Sequence, residues 1–251
     1  MSVNREQTQL EEMCRSHGAD PDMVQGGGGN ASFKPGNGGM WVTLSGVRLK
    51  SARFPEGFVQ VDLDAIRSIV SDRSLSGLPQ ARLDQAVLRR VLESRTSPTS
   101  GRPSIETMIH AMLPGRLAIH THPVHALALV CLRDGPEVAA RLFDDRRFLW
   151  IPYAKPGLFL TIEFVRGIEE HARRTGTKPQ WFFMQNHGLI LTGDSPENIE
   201  KLRREVFSVL RDHFGDAGVR AKQPTASPGP HAPCPVAAEC ACCRVRHLLR
   251  R

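Results

Sequence analysis

Apolar positions along the chain switch repeatedly between a helical spacing and a strand-like alternation, with no long linker between residues 2 and 215. Leu10 and Met13 share one face of a stretch from Asn4 to His17, which predicts a first helix stopped by Gly18. Two short runs, Ala31 to Lys34 and Met40 to Leu44, are joined by Pro35, Gly36, Asn37 and Gly38 and predict a hairpin. Asp62 or Asp64 is placed to cap a helix reaching Ser71. Asp84 begins another helix through Val87, Leu88, Val91 and Leu92, and Ser104 opens a third through Met108, Ile109 and Met112. Leu117 to His122, Phe148 to Ile151 and Trp181 to Thr192 read as strands. The closing helix has the plainest signals: Ser195 as cap, Pro196 in the first position, and a stripe of Ile199, Leu202, Val206, Val209 and Leu210 ending before Gly215. Alternating helices and strands make an α/β chain, and the hairpin implies a sheet that is not purely parallel.

Composition narrows the class. With 251 residues, 40% hydrophobic and 24% charged, the chain can bury a substantial core and is neither a disulfide miniprotein nor disordered throughout. No run approaches the roughly 18 apolar residues of a membrane helix, and the start at Asn4, Arg5, Glu6 and Gln7 lacks an apolar signal core. A cytoplasmic protein with no membrane partner is expected. Of the net charge of +7, residues 216–251 carry +4, because Arg220, Lys222, Arg244, Arg246, Arg250 and Arg251 face only Asp216 and Glu239. The mildly basic body suits a small anionic substrate better than nucleic acid. Cys14 and Cys131 stand alone and read as buried thiols of a reducing compartment. Cys234, Cys240, Cys242 and Cys243 follow a stretch rich in Pro, Ala and Ser, so residues 1–215 are expected to form one catalytic domain and 216–251 a flexible basic tail.

The chemistry concentrates in a few segments. Ala118-Ile119-His120-Thr121-His122-Pro123 sets two imidazoles two apart on a strand, hence on the same face and within reach of one metal ion. His187, in Gln185-Asn186-His187-Gly188, stands at the centre of a strand-like run and is a third candidate ligand. Three imidazoles leave one position open on a zinc ion, as catalytic sites do. Each histidine taken singly also fits a hydrogen-bonded core position. Glu106, in the first turn of the helix leading into the His120 strand, is placed either as a general base or simply to stabilise the helix N-terminus. The glycine run from Gly26 to Gly29 with Asn30, and the Ser45-Gly46 turn, offer amides to an anion or are simply tight turns. A strand follows the glycines, so they are not a dinucleotide fingerprint.

Taken together, Gly28-Gly29-Asn30-Ala31-Ser32, Leu44-Ser45-Gly46, Pro103-Ser104-Ile105-Glu106 with His110 one turn on, His120-Thr121-His122-Pro123, Ile151-Pro152-Tyr153-Ala154-Lys155-Pro156-Gly157 and Gln185-Asn186-His187-Gly188 resemble the class II aldolase/adducin family, in family order. The chain looks most like the aldolase half of the bifunctional rhamnulose-phosphate aldolase/dehydrogenases. The resemblance implies a three-layer α/β/α sandwich around a mostly antiparallel sheet, in a homotetramer with active sites between subunits. It also implies that His120, His122 and His187 hold Zn2+ or another divalent metal. Glu106 would then be the acid/base, with Gly29, Asn30, Ser45, Gly46 and Ser104 around the phosphate of a small sugar or sugar-acid substrate. The implied reaction cleaves a ketose 1-phosphate through a metal-stabilised enediolate. Family members also use this chemistry as epimerases, dehydratases and decarboxylases, and adducin-like members are assembly modules without it. Three histidines and a glutamate would also suit a zinc hydrolase, which leaves the glycine and serine turns unexplained. Ile105 stands where several sugar-phosphate aldolases carry a second serine. The only tyrosine, Tyr153, lies in a different motif from the one that the fuculose-phosphate type uses.

Overall fold

Asn4 closes a reciprocal capping box with Gln7 at the start of α1 (Arg5–Ala19) in the computed structural model, which describes residues 4–25, 28–75, 77–97 and 101–215. The expected tail and its four cysteines lie outside the described residues. After α1 come β1 (Asn30–Phe33), β2 (Gly39–Thr43), β3 (Phe58–Asp62), α2 (Leu63–Ser71) and α3 (Gln80–Glu93). There follow α4 (Thr107–Met112), β4 (Leu117–Thr121), α5 (Val124–Val130), α6 (Gly135–Leu142) and β5 (Phe148–Ile151). The order ends with α7 (Leu158–Thr175), β6 (Trp181–Met184), β7 (Gly188–Gly193) and α8 (Pro196–Phe214).

The seven strands form one sheet in the order β3-β2-β1-β4-β7-β6-β5, antiparallel except for the β5–β6 pair. It is a mixed α/β fold, with a helix layer on each face. Alternation along each strand divides the core. Ala31, Phe33, Leu117, Ile119, Trp181, Phe183, Leu189 and Leu191 pack with α1, α5, α6 and α8. Ala118, Phe182, Met184 and Ile190 point the other way, onto α4 and α7, while Met40 and Val61 pack with α2, α3 and α4. Phe182 and Phe183, adjacent but on opposite faces, are both fully buried and contribute about 2–3 kcal/mol each.

Local signals held where they were strong. Asp62 Oδ1 accepts from Ala65 N at 2.7 Å to cap α2, and Ser195 Oγ accepts from Asn198 N at 3.3 Å to cap α8. Several boundaries moved. The run Trp181 to Thr192 is two antiparallel strands rather than one, because Asn186 adopts a positive φ of 58° and closes a tight turn between them. His187 therefore sits in a turn and not at a strand centre. α3 starts at Gln80, ahead of Asp84, and α4 starts at Thr107 with Glu106 rather than Ser104 as its N-cap residue. Cys14 is buried, whereas Cys131 is only half-buried. Among the described residues no helix is long and apolar enough to cross a membrane.

Candidate active site

The site lies on the α4 face of the sheet centre, where β1, β4 and β7 adjoin. β4 pairs with β7 so that His120 lies opposite Ile190, and with β1 so that it lies opposite Asn30. The strand period then sends Asn30, Ser32 and His120 to the same side. His122 follows just past the end of β4. The turn carrying His187 is held from two sides: Asn186 N donates to Val130 O and Gln185 N to Ile151 O, both at 2.9 Å. Ligand atoms of His120, His122 and His187 all lie within 4.8 Å of one another.

The backbone carbonyl of Leu189 selects the ligand atom of His120. Its Nδ1 is 3.1 Å from the Leu189 carbonyl, which can only accept, so Nδ1 carries the proton and Nε2 keeps a lone pair facing His122 Nε2 at 2.9 Å. Burial pushes His120 down to about 4. Burial, reinforced by its two imidazole neighbours, takes His122 down to about 3. Both rings are therefore neutral near pH 7, the form that binds a cation. Glycines make room for them. A Cβ on Gly28 would stand 2.4 Å from His122 Nδ1, and one on Gly188 would stand 2.7 Å from both His122 Cδ2 and the Thr121 carbonyl and 3.0 Å from His120 Cε1. Gly188→Ala is accordingly expected to weaken the binding of a divalent cation offered to these histidines by more than about tenfold with the circular dichroism spectrum retained, as read by competition with a chromophoric chelator.

Glu106 faces this cluster from the end of α4. Its Oε2 is 3.6 Å from His120 Nε2 and its Oε1 is 3.1 Å from His187 Nε2, yet Oε1 is buried without a well-formed hydrogen bond. A buried oxygen left open at the edge of the histidine cluster fits a divalent cation or a substrate hydroxyl. The Glu106 side chain makes no cap hydrogen bond to α4, so the purely helix-stabilising role is reduced to its charge. Burial raises its carboxyl, but the His120 and His187 imidazoles and the Asn30 amide outweigh it and hold the group well below the usual carboxylate range.

The other expected residues divide into two groups. Ser45 and Ser104 are brought together by a short antiparallel pairing: Leu44 bridges Pro103, Ser45 N donates to Arg102 O at 2.8 Å, and Ser104 N donates to Thr43 O at 3.3 Å. Ser45 and Gly46 are exposed, with Gly46 at φ 85°, while Ser104 is buried with Oγ accepting from Glu106 N at 3.3 Å. Gly29, at φ 101°, lies against the His120 carbonyl, 2.9 Å from where its Cβ would be. The Asn30 side chain, expected at a phosphate, is instead engaged at both ends. Nδ2 donates to Glu106 Oε2 and Oδ1 accepts from His110 Nε2, each at 2.5 Å. The sequence reading gave His110 and Ser32 no role. The signal for them was present in the two-residue spacing of Asn30 and Ser32 on a strand and the four-residue spacing of Glu106 and His110, which puts each pair on one face.

The buried histidines also set an acid limit for the metal-free protein. His110 and His120 are both pushed down to about 4 from an ordinary value of 6.5. A lowered folded value means that the unfolded chain binds protons first, so stability is complete above pH 6.5 and is lost as the pH falls towards 4. Each of the two is expected to remove about 2 kcal/mol by pH 5, which urea unfolding at pH 7 and pH 5 would read. An unchanged midpoint would show that these rings are not held neutral by burial.

Comparisons with known proteins place the chain in a family and match its fold. A protein of Bacillus subtilis (strain 168) described as the uncharacterized oxidoreductase YuxG is 28% identical over 207 residues. That alignment covers 79% of this chain but 28% of the relative, so this chain spans less than a third of its length. The N-terminal class II aldolase domain of a conserved protein from Thermoplasma acidophilum superposes with a TM-score of 0.68 at 22% identity, covering 85% of this chain and 95% of that one. A sugar-phosphate aldolase from Thermotoga maritima gives 0.54 at 14%, covering 82% and 94%. Residues 8–203 match the family profile of the class II aldolase and adducin N-terminal domain, and the chain belongs to that family.

Proposed function

We propose that this chain is a divalent-metal-dependent aldolase-type lyase, with zinc as the cation, that cleaves a ketose 1-phosphate into dihydroxyacetone phosphate and an aldehyde. The observation that carries this reading is the convergence of three imidazoles within 4.8 Å, with the Glu106 carboxylate against two of them. His120, His122 and His187 hold the cation, which when bound supplies a Lewis acid for the negative charge that develops on the ketose oxygen. In cleavage the Glu106 carboxylate, ionised at rest, takes up the proton that the hydroxyl of the other half loses as its carbon becomes the aldehyde carbonyl, and returns it through the open Oε1 to the carbon that leaves with the phosphate half, so the cleavage needs neither water nor a redox partner. The exposed Ser45-Gly46 turn, with Gly29 and Ser104, receives the phosphate. The enzyme works as a cytoplasmic homotetramer.

The test is an anaerobic screen of ketose 1-phosphates, including L-rhamnulose 1-phosphate, with zinc and with chelator, reading dihydroxyacetone phosphate by phosphorus NMR. Zinc-dependent release is expected. An epimerised, dehydrated or decarboxylated product would move the reaction within the family, and turnover that survives chelation would remove the metal from it.

A further inference from the structure

We propose that Ser32, His110 and Asn30 form a buried relay that fixes the orientation of the Glu106 carboxylate, making His110 a positioning residue that acts on this carboxylate through Asn30. The backbone arrangement is specific. β1 supplies Asn30 and Ser32 from one strand face, α4 supplies His110 one turn after Glu106, and Lys34, the residue after β1, grips the chain just past α4 through Nζ, which donates to the carbonyls of Leu113 at 2.5 Å and Gly115 at 3.2 Å. His110 is 0% exposed and Ser32 0%, so water does not compete for their hydrogen bonds.

The directions of these bonds follow from the carboxylate outwards. An ionised carboxylate only accepts, so the Asn30 atom facing Oε2 is the amide nitrogen. The Asn30 carbonyl must then face His110 Nε2, and that nitrogen must carry a proton. Burial keeps His110 neutral, so its Nδ1 is left as an acceptor and accepts a hydrogen bond from Ser32 Oγ at 2.7 Å. All three donors point towards Glu106, and each bond polarises the next. The consequence for chemistry is which oxygen is free. Asn30 pins Oε2, and Oε1 is left turned to His187 and the site. A histidine serving only its own hydrogen-bonding needs in the core would not require a partner whose other end holds the acid/base. The importance of the relay rests on Glu106 acting as proposed above; its existence does not.

Two measurements on the full chain test this. In zinc-loaded protein carrying 15N-labelled histidine, long-range proton–nitrogen correlation at pH 7 is expected to show His110 as the Nε2–H tautomer, assigned by loss of its signals in His110→Gln. In kinetics with L-rhamnulose 1-phosphate, His110→Leu is expected to lower kcat at least tenfold with KM within about threefold. His110→Gln, whose amide can donate from near the same position, should recover to within about threefold of the parent. Thermal melting establishes that both variants are folded. An Nδ1–H tautomer, an equal loss in both variants, or a loss confined to KM would overturn the relay. If the parent protein cleaves no ketose phosphate, the proposed reaction fails while the tautomer still decides the relay by itself.

Discussion

Glu106→Gln is expected to lower kcat roughly a thousandfold while leaving zinc affinity within about tenfold of the parent protein, in line with the usual 10² to 10⁴ contribution of a general acid/base. The substitution is close to isosteric. The glutamine carbonyl can still accept from Asn30 Nδ2, so packing at the end of α4 and the orientation of the side chain survive. The changes are loss of the negative charge and of the ability to take up and return a proton at Oε1, the buried oxygen that has no well-formed hydrogen bond. Because the three imidazoles are untouched, metal binding measured by titration should change far less than turnover. That separation discriminates among roles. If Glu106 only stabilised the helix through its charge, the variant would lose at most about 1 kcal/mol of folding stability and no rate. If it served mainly as a metal ligand, affinity and rate would fall together. Steady-state kinetics at saturating zinc, beside a zinc titration, separates the three, and a rate within tenfold of the parent would exclude the acid/base role.

The same contrast between local and distant information explains what could be read from the residues. α8 was legible because its cap, its proline and its apolar stripe all lie within one segment. β3 was missed because Phe58-Val59-Gln60-Val61 runs straight into Asp62, the cap of α2, leaving no punctuation between strand and helix. α5 was missed for a different reason: every one of its seven residues is buried, so it has no amphipathic period to detect. α7 carries Thr161 and His171 among its buried positions, which blurs its stripe, and the Gly135-Pro136 start of α6 looks like a turn. In the site, the His120/His122 pair was readable from a two-residue spacing. The approach of His187 depends on β4 pairing with β7, nearly seventy positions along the chain, and the contact of Asn30 with His110 depends on β1 meeting α4. Such contacts are set by sheet register and helix packing, which no single segment encodes.

His122→Ala is expected to reduce bound zinc from about one per chain to less than about a tenth at micromolar metal, and to take turnover below detection, with the fold retained. Three ligands sharing about 10 kcal/mol of binding free energy contribute roughly 3 kcal/mol each, so losing one weakens binding by more than about a hundredfold. The choice among the three ligands matters. His120 is 1% exposed and bonded to the Leu189 carbonyl, so its removal would leave a cavity and an unpaired backbone acceptor inside the sheet. His122 lies beyond the end of β4, is only half-buried, and has the bare backbone of Gly28 against its ring, so truncation there opens space at the edge of the core. The metal-free parent and the metal-free variant should therefore melt within a few degrees of each other, whereas zinc should raise the melting temperature of the parent alone. Inductively coupled plasma analysis of both proteins, with melting curves recorded with and without zinc, checks the outcome. Equal metal content in parent and variant would mean that His122 is not a ligand, and no zinc-dependent stabilisation of the parent would mean that the three imidazoles converge for another purpose.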